Sequence, residues 1–242
     1  MRRRNLFSNM VPVSVVLLAI LILIPTASAG VIGHLSVGIC SNGGVVVSAA
    51  LIDWAPGSPS ACLQEGLGTS ITSVGDGNLT GASPAGTIND LPSLLPGSGT
   101  LGFMTFGLLK FDLAGVGGFG PGSGVSCATN PGVNNSCSIP GSPFLLTQTV
   151  NVLGAPSTSV TLAAHGTIFD TGDGTTSPWQ GSFTTQIDGV LPSAVQATIA
   201  GGGSITSSFS GEFNVGVPEP VSMALIGGGL IALAAIKRRK LV

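Results

Sequence analysis

Four segments in the second half of the chain, 144–153, 159–169, 181–190 and 205–215, alternate apolar and polar side chains with a period of two. A strand points successive side chains to opposite faces, so this period predicts strands with one buried face. In 159–169, Val160, Leu162, Ala164 and Ile168 share one face, and Thr161, His165 and Thr167 take the other. In 205–215, Ile205, Phe209, Phe213 and Val215 face one way, and Thr206, Ser208, Ser210, Glu212 and Asn214 the other. Strands of this kind joined by Gly, Asp and Pro turns predict an all-β fold, a single antiparallel β-sandwich of jelly-roll type.

The first half is less regular. Residues 45–54 form a β-branched, apolar run between Gly43-Gly44 and Pro56-Gly57, which reads as a strand. Residues 56–96 are rich in turn formers, with a short strand expected at 69–74. Residues 100–113 read as one long strand, with Leu101, Phe103, Leu109, Phe111 and Leu113 on one face and Met104, Phe106 and Leu108 on the other. Apolar side chains on both faces predict a central strand covered from both sides. Sparse charge and abundant Gly, Ser and Thr argue against helices. Phe103, Phe111, Phe144, Phe183, Phe209 and Phe213 are the expected core.

Both ends carry targeting features. Met1-Arg2-Arg3-Arg4, an apolar run over 11–24 and the small-residue site Ala27-Ser28-Ala29 form the three parts of a signal peptide, with cleavage by signal peptidase expected after Ala29 and export through the general secretion machinery. At the other end, Pro218-Glu219-Pro220 precedes a charge-free apolar run over 221–236 and the basic tail Lys237-Arg238-Arg239-Lys240. As a helix the run would be roughly 24 Å long, slightly short of the roughly 30 Å hydrocarbon core. Small residues such as Gly227 suit a membrane helix, because they let another helix approach closely. The four cations hold the tail on the cytoplasmic side, which leaves the body on the other. The two prolines fix φ and keep the segment before the span extended and open to a protease. The expected organisation is a signal helix over 1–29, an exported β domain over 30–216 and a sorting signal with a transmembrane helix over 217–242.

Val-Pro-Glu-Pro, a Gly/Ala/Leu span and a terminal Lys/Arg cluster, in that order, resemble the PEP-CTERM sorting signal of exported Gram-negative bacterial proteins. The resemblance covers about a tenth of the chain. It implies recognition by an exosortase, a membrane-embedded enzyme resembling cysteine transpeptidases, acting at or near Pro218, Glu219 and Pro220. It further implies a transient membrane anchor followed by delivery to the outer envelope, cell surface or extracellular matrix, and it suggests that the hydroxyl-rich body carries glycans. No Leu-Pro-x-Thr-Gly motif is present, which disfavours the Gram-positive route. The stretches starting at Phe144 and Trp179 loosely resemble the bodies of other PEP-CTERM proteins and imply no activity.

Without the two ends the body keeps one basic residue, Lys110, against nine acidic ones, a net charge of −8. Nucleic-acid binding, which needs Lys and Arg to neutralise phosphates, is excluded as a function class. Cys40, Cys62, Cys127 and Cys137 all fall in the exported body, where disulfides persist. Four cysteines permit three pairings; proximity favours Cys40–Cys62 and Cys127–Cys137, the latter worth on the order of 3 kcal/mol by loop closure. A metal site is the weaker reading, since no Cys-x-x-Cys occurs and His34 and His165 are far from ligand spacing.

Three further features raise chemistry. Asp170-Thr-Gly-Asp173-Gly-Thr resembles part of a calcium loop, but its glycine falls early and no Glu closes it, so a turn is the simpler reading. His165 with Asp170 or Asp173 suggests a hydrolase base, but no Gly-x-Ser-x-Gly elbow accompanies it, and an exposed strand position is the plainer account. Trp54 and Trp179 are candidates for a sugar-binding platform, against the commoner place of tryptophan in a core or at its rim. No cofactor is expected. The leading expectation is a non-enzymatic exported protein with a structural or adhesive role in the envelope or exopolysaccharide matrix; a secreted carbohydrate-binding module is second and a secreted hydrolase third.

Overall fold

The computed structural model describes residues 30–40, 44–49, 51–54, 60–73, 75, 77–79, 85–91, 100–116 and 125–216. They all belong to one compact unit, Ala29–Glu219. The signal peptide with Ala27 and Ala29, the Pro218-Glu219-Pro220 motif, the span 221–236 and the tail Lys237, Arg238, Arg239 and Lys240 lie outside the described residues. Among the described residues no helix is long and apolar enough to cross a membrane.

In chain order the strands are β1 Ile32–Ile39, β2 Val45–Val47, β3 Ile52–Asp53, β4 Ser60–Glu65, β5 Ser70–Thr72, β6 Gly86–Asn89, β7 Thr100–Phe106, β8 Leu109–Val116, β9 Ser136–Ser138, β10 Phe144–Val150, β11 Pro156–Asp170, β12 Thr176–Asp188, β13 Ile205–Ser207 and β14 Ser210–Val215, with one helix, α1 Pro192–Ala200. Strands β1, β4, β6, β7, β8, β11, β12 and β14 pair successively and antiparallel, and β14 returns to β1 in register Gly33↔Val215 to Gly38↔Ser210. The fold is all-β as expected, but the sheet closes into an eight-stranded barrel instead of splitting into a sandwich. The reason is that β11 and β12 pair with each other over their length while β8 and β14 take their outer edges, so the path of eight strands returns on itself; β10 and β9 branch from β11, and β13, β2 and β3 form a second, small sheet. Closure removes the open edges a sandwich would keep.

An eight-stranded barrel is just wide enough for side chains to fill, and aromatic rings fill this one. Trp54 lies 4.7 Å from both Phe183 and Phe209, Phe183 lies 4.9 Å from Phe213, and Phe213 lies 5.4 Å from Trp179. All six expected core phenylalanines are buried, and Phe106 joins them. Such tilted and edge-on pairs add about 0.5–1.5 kcal/mol each beyond the area they bury.

The long strand expected over 100–113 is instead a hairpin. The chain reverses at Gly107-Leu108, where Gly107 has φ +55°, and Phe106 pairs with Leu109. A two-residue turn with glycine first matches the twist of the flanking strands. Apolar residues occur at both parities because a bulge between Thr100 and Met104, with Gly102 at φ +62°, turns both Phe103 and Met104 inward. The bulge is held by Gly102 N–H donating to Asp112 Oδ1 at 2.5 Å and Asn89 Nδ2 donating to the Gly102 carbonyl at 2.7 Å.

The run 45–54 is likewise two short strands, β2 and β3, joined where Ser48 N–H meets the Leu51 carbonyl at 2.9 Å. The segment 205–215 divides between two sheets: β13 pairs with β2, and β14 with β1 and β12. Helix α1 was not expected from composition. Pro192 at its start supplies a ready-made helical φ, and Val195 and Ile199 bury one side against β10 and β13.

Candidate functional site

Both disulfides form as expected. Cys40–Cys62 ties β1 to β4 with Cα atoms 5.5 Å apart, and Cys127–Cys137 closes the loop before β9 with Cα atoms 5.0 Å apart. The second loop braces α1, since Asn130 Oδ1 accepts the Ser193 N–H at 3.0 Å and Ser126 Oγ donates to Gln196 at 3.3 Å.

The tryptophan platform is not there. Trp54 and Trp179 are each 2% exposed and belong to the barrel core, so neither presents a ring face to a sugar. Nor do the hydrolase candidates converge. His165 is half-buried on the outward side of β11, whereas Asp170, five residues on, points inward and is fully buried. At about 3.3 Å per residue they stand roughly 16 Å apart along the strand.

Asp170 and Asp173 define the β11–β12 turn. The Asp170 carboxylate accepts the Ser73 hydroxyl and, at 2.7 Å, the Gly172 N–H, and a Cβ on Gly77 would come within 2.6 Å of it. Asp173 Oδ1 accepts the Thr175 N–H at 2.8 Å and the Thr175 hydroxyl at 2.7 Å, and these bonds hold its carboxyl below the ordinary aspartate range. Donors therefore surround oxygens that a calcium site would turn toward a cation. The arrangement is that of a hydrogen-bonded turn, and among the described residues no three His, Cys, Asp or Glu side chains converge.

The outer wall over β11, β12, β14 and β1 gathers polar side chains in register. His165, Gln180, Asn214 and His34 form one row across the four strands; Ala163, Ser182, Glu212 and Ser36 form the next; Thr161, Thr184, Ser210 and Gly38 form a third. Glu212 is the acid of these rows and is held on both sides, by His34 Nε2 at 2.9 Å and the Ser36 hydroxyl at 3.1 Å.

Above the third row the wall forks. Thr184↔Ser210 is the last pair between β12 and β14, because the chain ahead of Ser210 diverges to β13. The fork opens a groove of about 430 Å³ lined by Thr149, Ser159, Thr184, Thr185, Gln186, Ser208, Phe209 and Ser210. Ser207 closes one side, meeting the Thr185 hydroxyl at 2.5 Å and the Gln186 carbonyl at 3.3 Å. The lining carries hydroxyl and amide groups and no charged side chain. It went unseen in the sequence because it depends on one alternating segment serving two sheets. The available signal was Ser207, a polar residue at the inward parity of Ile205 and Phe209.

No protein-family model, curated protein or solved structure matches this chain.

Proposed function

We propose that this chain is a non-catalytic exported protein of the cell surface or extracellular matrix, sorted by an exosortase through its PEP-CTERM-like end, with a structural or adhesive role among polysaccharides. The observation that carries the reading is the outer barrel wall. Its rows from β11 to β1 are dominated by hydroxyl and amide groups, and its carboxylate, Glu212, is already engaged. Such groups both donate and accept hydrogen bonds, which matches a polyhydroxyl polymer. Each exchange with water gains little alone, so adhesion of this kind rests on many contacts across a wide surface. A closed barrel stapled by two disulfides suits that setting, because it keeps its shape outside the cell without partner strands.

The test combines processing and retention in the native host. Intact mass of the mature protein, taken after separating inner membrane, outer membrane, matrix and medium, is expected to end near Pro218 to Pro220 without the basic tail, in the outer or matrix fraction. Glycan attachment would appear as added mass. A chain extending to Val242 in the inner membrane would overturn the sorting proposal, and a processed protein that washes free of the matrix would overturn the adhesive role.

A further inference from the structure

We infer that the groove at the β12/β14 fork is a binding subsite for an uncharged sugar unit, such as a neutral pyranose of a polysaccharide. The inference rests on the matrix reading above and assigns it a specific site. At about 430 Å³ the groove is within the roughly 300–1,000 Å³ range of small-molecule sites. Six hydroxyl side chains, from Thr149, Ser159, Thr184, Thr185, Ser208 and Ser210, line it together with the Gln186 amide and Phe209. A ligand that satisfies this set must itself both donate and accept at several adjacent positions, which is the property of a vicinal polyol. Lining without Lys, Arg or His gives a carboxylate or phosphate no opposite charge to pair with, and lining without Asp or Glu gives an ammonium none, so an uncharged ligand loses least on entering.

Two details separate the groove from an ordinary polar dent. Thr149 Oγ1 is buried and has no hydrogen-bond partner among the described residues, although Thr149 lines the groove. A buried hydroxyl left unpaired costs free energy, so a rotation of the Thr149 side chain toward the groove gains a partner when a ligand hydroxyl is there to meet it. The second detail is that the walls are preorganised. Thr184 and Ser210 hydroxyls lie 3.2 Å apart as a cross-strand pair, and Ser207 fastens the opposite side to β12. Side chains on paired strands lose little freedom on binding, so contacts made here are not spent on ordering the site.

The experiment titrates the full chain with neutral glucose, mannose, galactose and N-acetylglucosamine hexamers, with an oligogalacturonate of equal length as the charged comparison, followed by saturation-transfer NMR. At least one neutral oligosaccharide is expected to bind saturably, and Gln186→Ala with Thr184→Val is expected to weaken it by about tenfold or more. Thr87→Ala, exposed on β6 and outside both the wall rows and the groove, is expected to leave binding unchanged; the unchanged melting temperature of each variant verifies its fold. Absence of saturable binding to every neutral hexamer, equal binding by the groove variant, or preference for the oligogalacturonate would each overturn the inference. Retention of the groove variant in the host matrix keeps the two readings apart: if it is retained while oligosaccharide binding fails, the adhesive wall stands and the groove assignment falls.

Discussion

Trp179 Nε1 donates a hydrogen bond of 3.1 Å to the carbonyl oxygen of Asp112, passing where Gly166 leaves the intervening strand β11 without a side chain. Gly166 pairs with Trp179 on one side and Leu113 on the other, and the β8–β11 register shifts between His165 and Gly166. The irregularity brings the Asp112 carbonyl toward the barrel interior, where the indole of Trp179 satisfies it. Thus a tryptophan in an aromatic core has its polar edge paired, and a bulge in the wall has its stray acceptor paired, by the same bond.

A Cβ at position 166 would sit 1.8 Å from the Asp112 oxygen and 3.0 Å from Trp179 Nε1. Neither neighbour is the far end of a flexible side chain, so the backbone must move. Gly166→Ala is expected to destabilise the barrel by about 3 kcal/mol or more, at the upper end of overpacking costs. Urea unfolding followed by tryptophan fluorescence measures it, and a loss below about 1 kcal/mol would show that the close approach is not required.

Trp179→Phe separates the hydrogen bond from the packing. Phenylalanine keeps an aromatic ring against Phe213 and Phe111 but leaves the Asp112 carbonyl without its donor. The expected loss is about 1–3 kcal/mol for the unsatisfied buried acceptor, plus the smaller ring volume. Unfolding of this variant beside Trp54→Phe checks it: both lose ring volume, and Trp54 Nε1 has no partner among the described residues, so Trp179→Phe should cost more.

The two disulfides are expected to differ in their response to reductant. Cys127 and Cys137 are fully buried, whereas Cys62 is exposed and Cys40 half-buried. Exchange requires a thiolate to reach a disulfide sulfur, so access sets the rate. Mild dithiothreitol under native conditions is expected to free Cys40 and Cys62 alone, read by alkylation and peptide mass spectrometry. The Cys127–Cys137 bridge should open only on unfolding.

Alternation made the inward set legible. The buried residues Leu162, Ala164 and Ile168, and Phe209, Phe213 and Val215, lie on the faces that period two assigns them. Closure was not legible, because sandwich and barrel strands share that period and differ in whether β14 finds β1, a contact of residues far apart in the chain. The turn at Gly107-Leu108 was hidden by apolar residues on both sides of it, with no Asn or Asp to mark it. The tryptophans stayed undecided between core and rim for a related reason: a lone Trp beside turn residues suits either, and it is the barrel's closure that draws Trp54 and Trp179 inside. The groove depends on where two sheets part, which no local pattern encodes.

The β11–β12 turn offers a titration with a defined sign. The Thr175 hydroxyl, foremost, and its N–H hold the Asp173 carboxyl below the ordinary value of 3.8. The folded turn therefore binds a proton less tightly than the unfolded chain does. Its contribution is fully present above the unfolded value and is lost as pH falls through the lower folded one. At neutral pH the turn is unaffected, and the Thr175 amide resonance is expected to move only in acid below 3.8, in NMR spectra recorded across that range. In Asp173→Asn the amide oxygen still accepts from Thr175, so the fold persists while the acid-limb shift disappears. Calcium gives the complementary check, because the Asp170 and Asp173 oxygens already accept from Ser73, Gly172 and Thr175. Millimolar calcium is expected to leave the melting temperature where chelator leaves it; a rise on adding calcium would mean that the turn rearranges to bind the ion and that these donors are displaced.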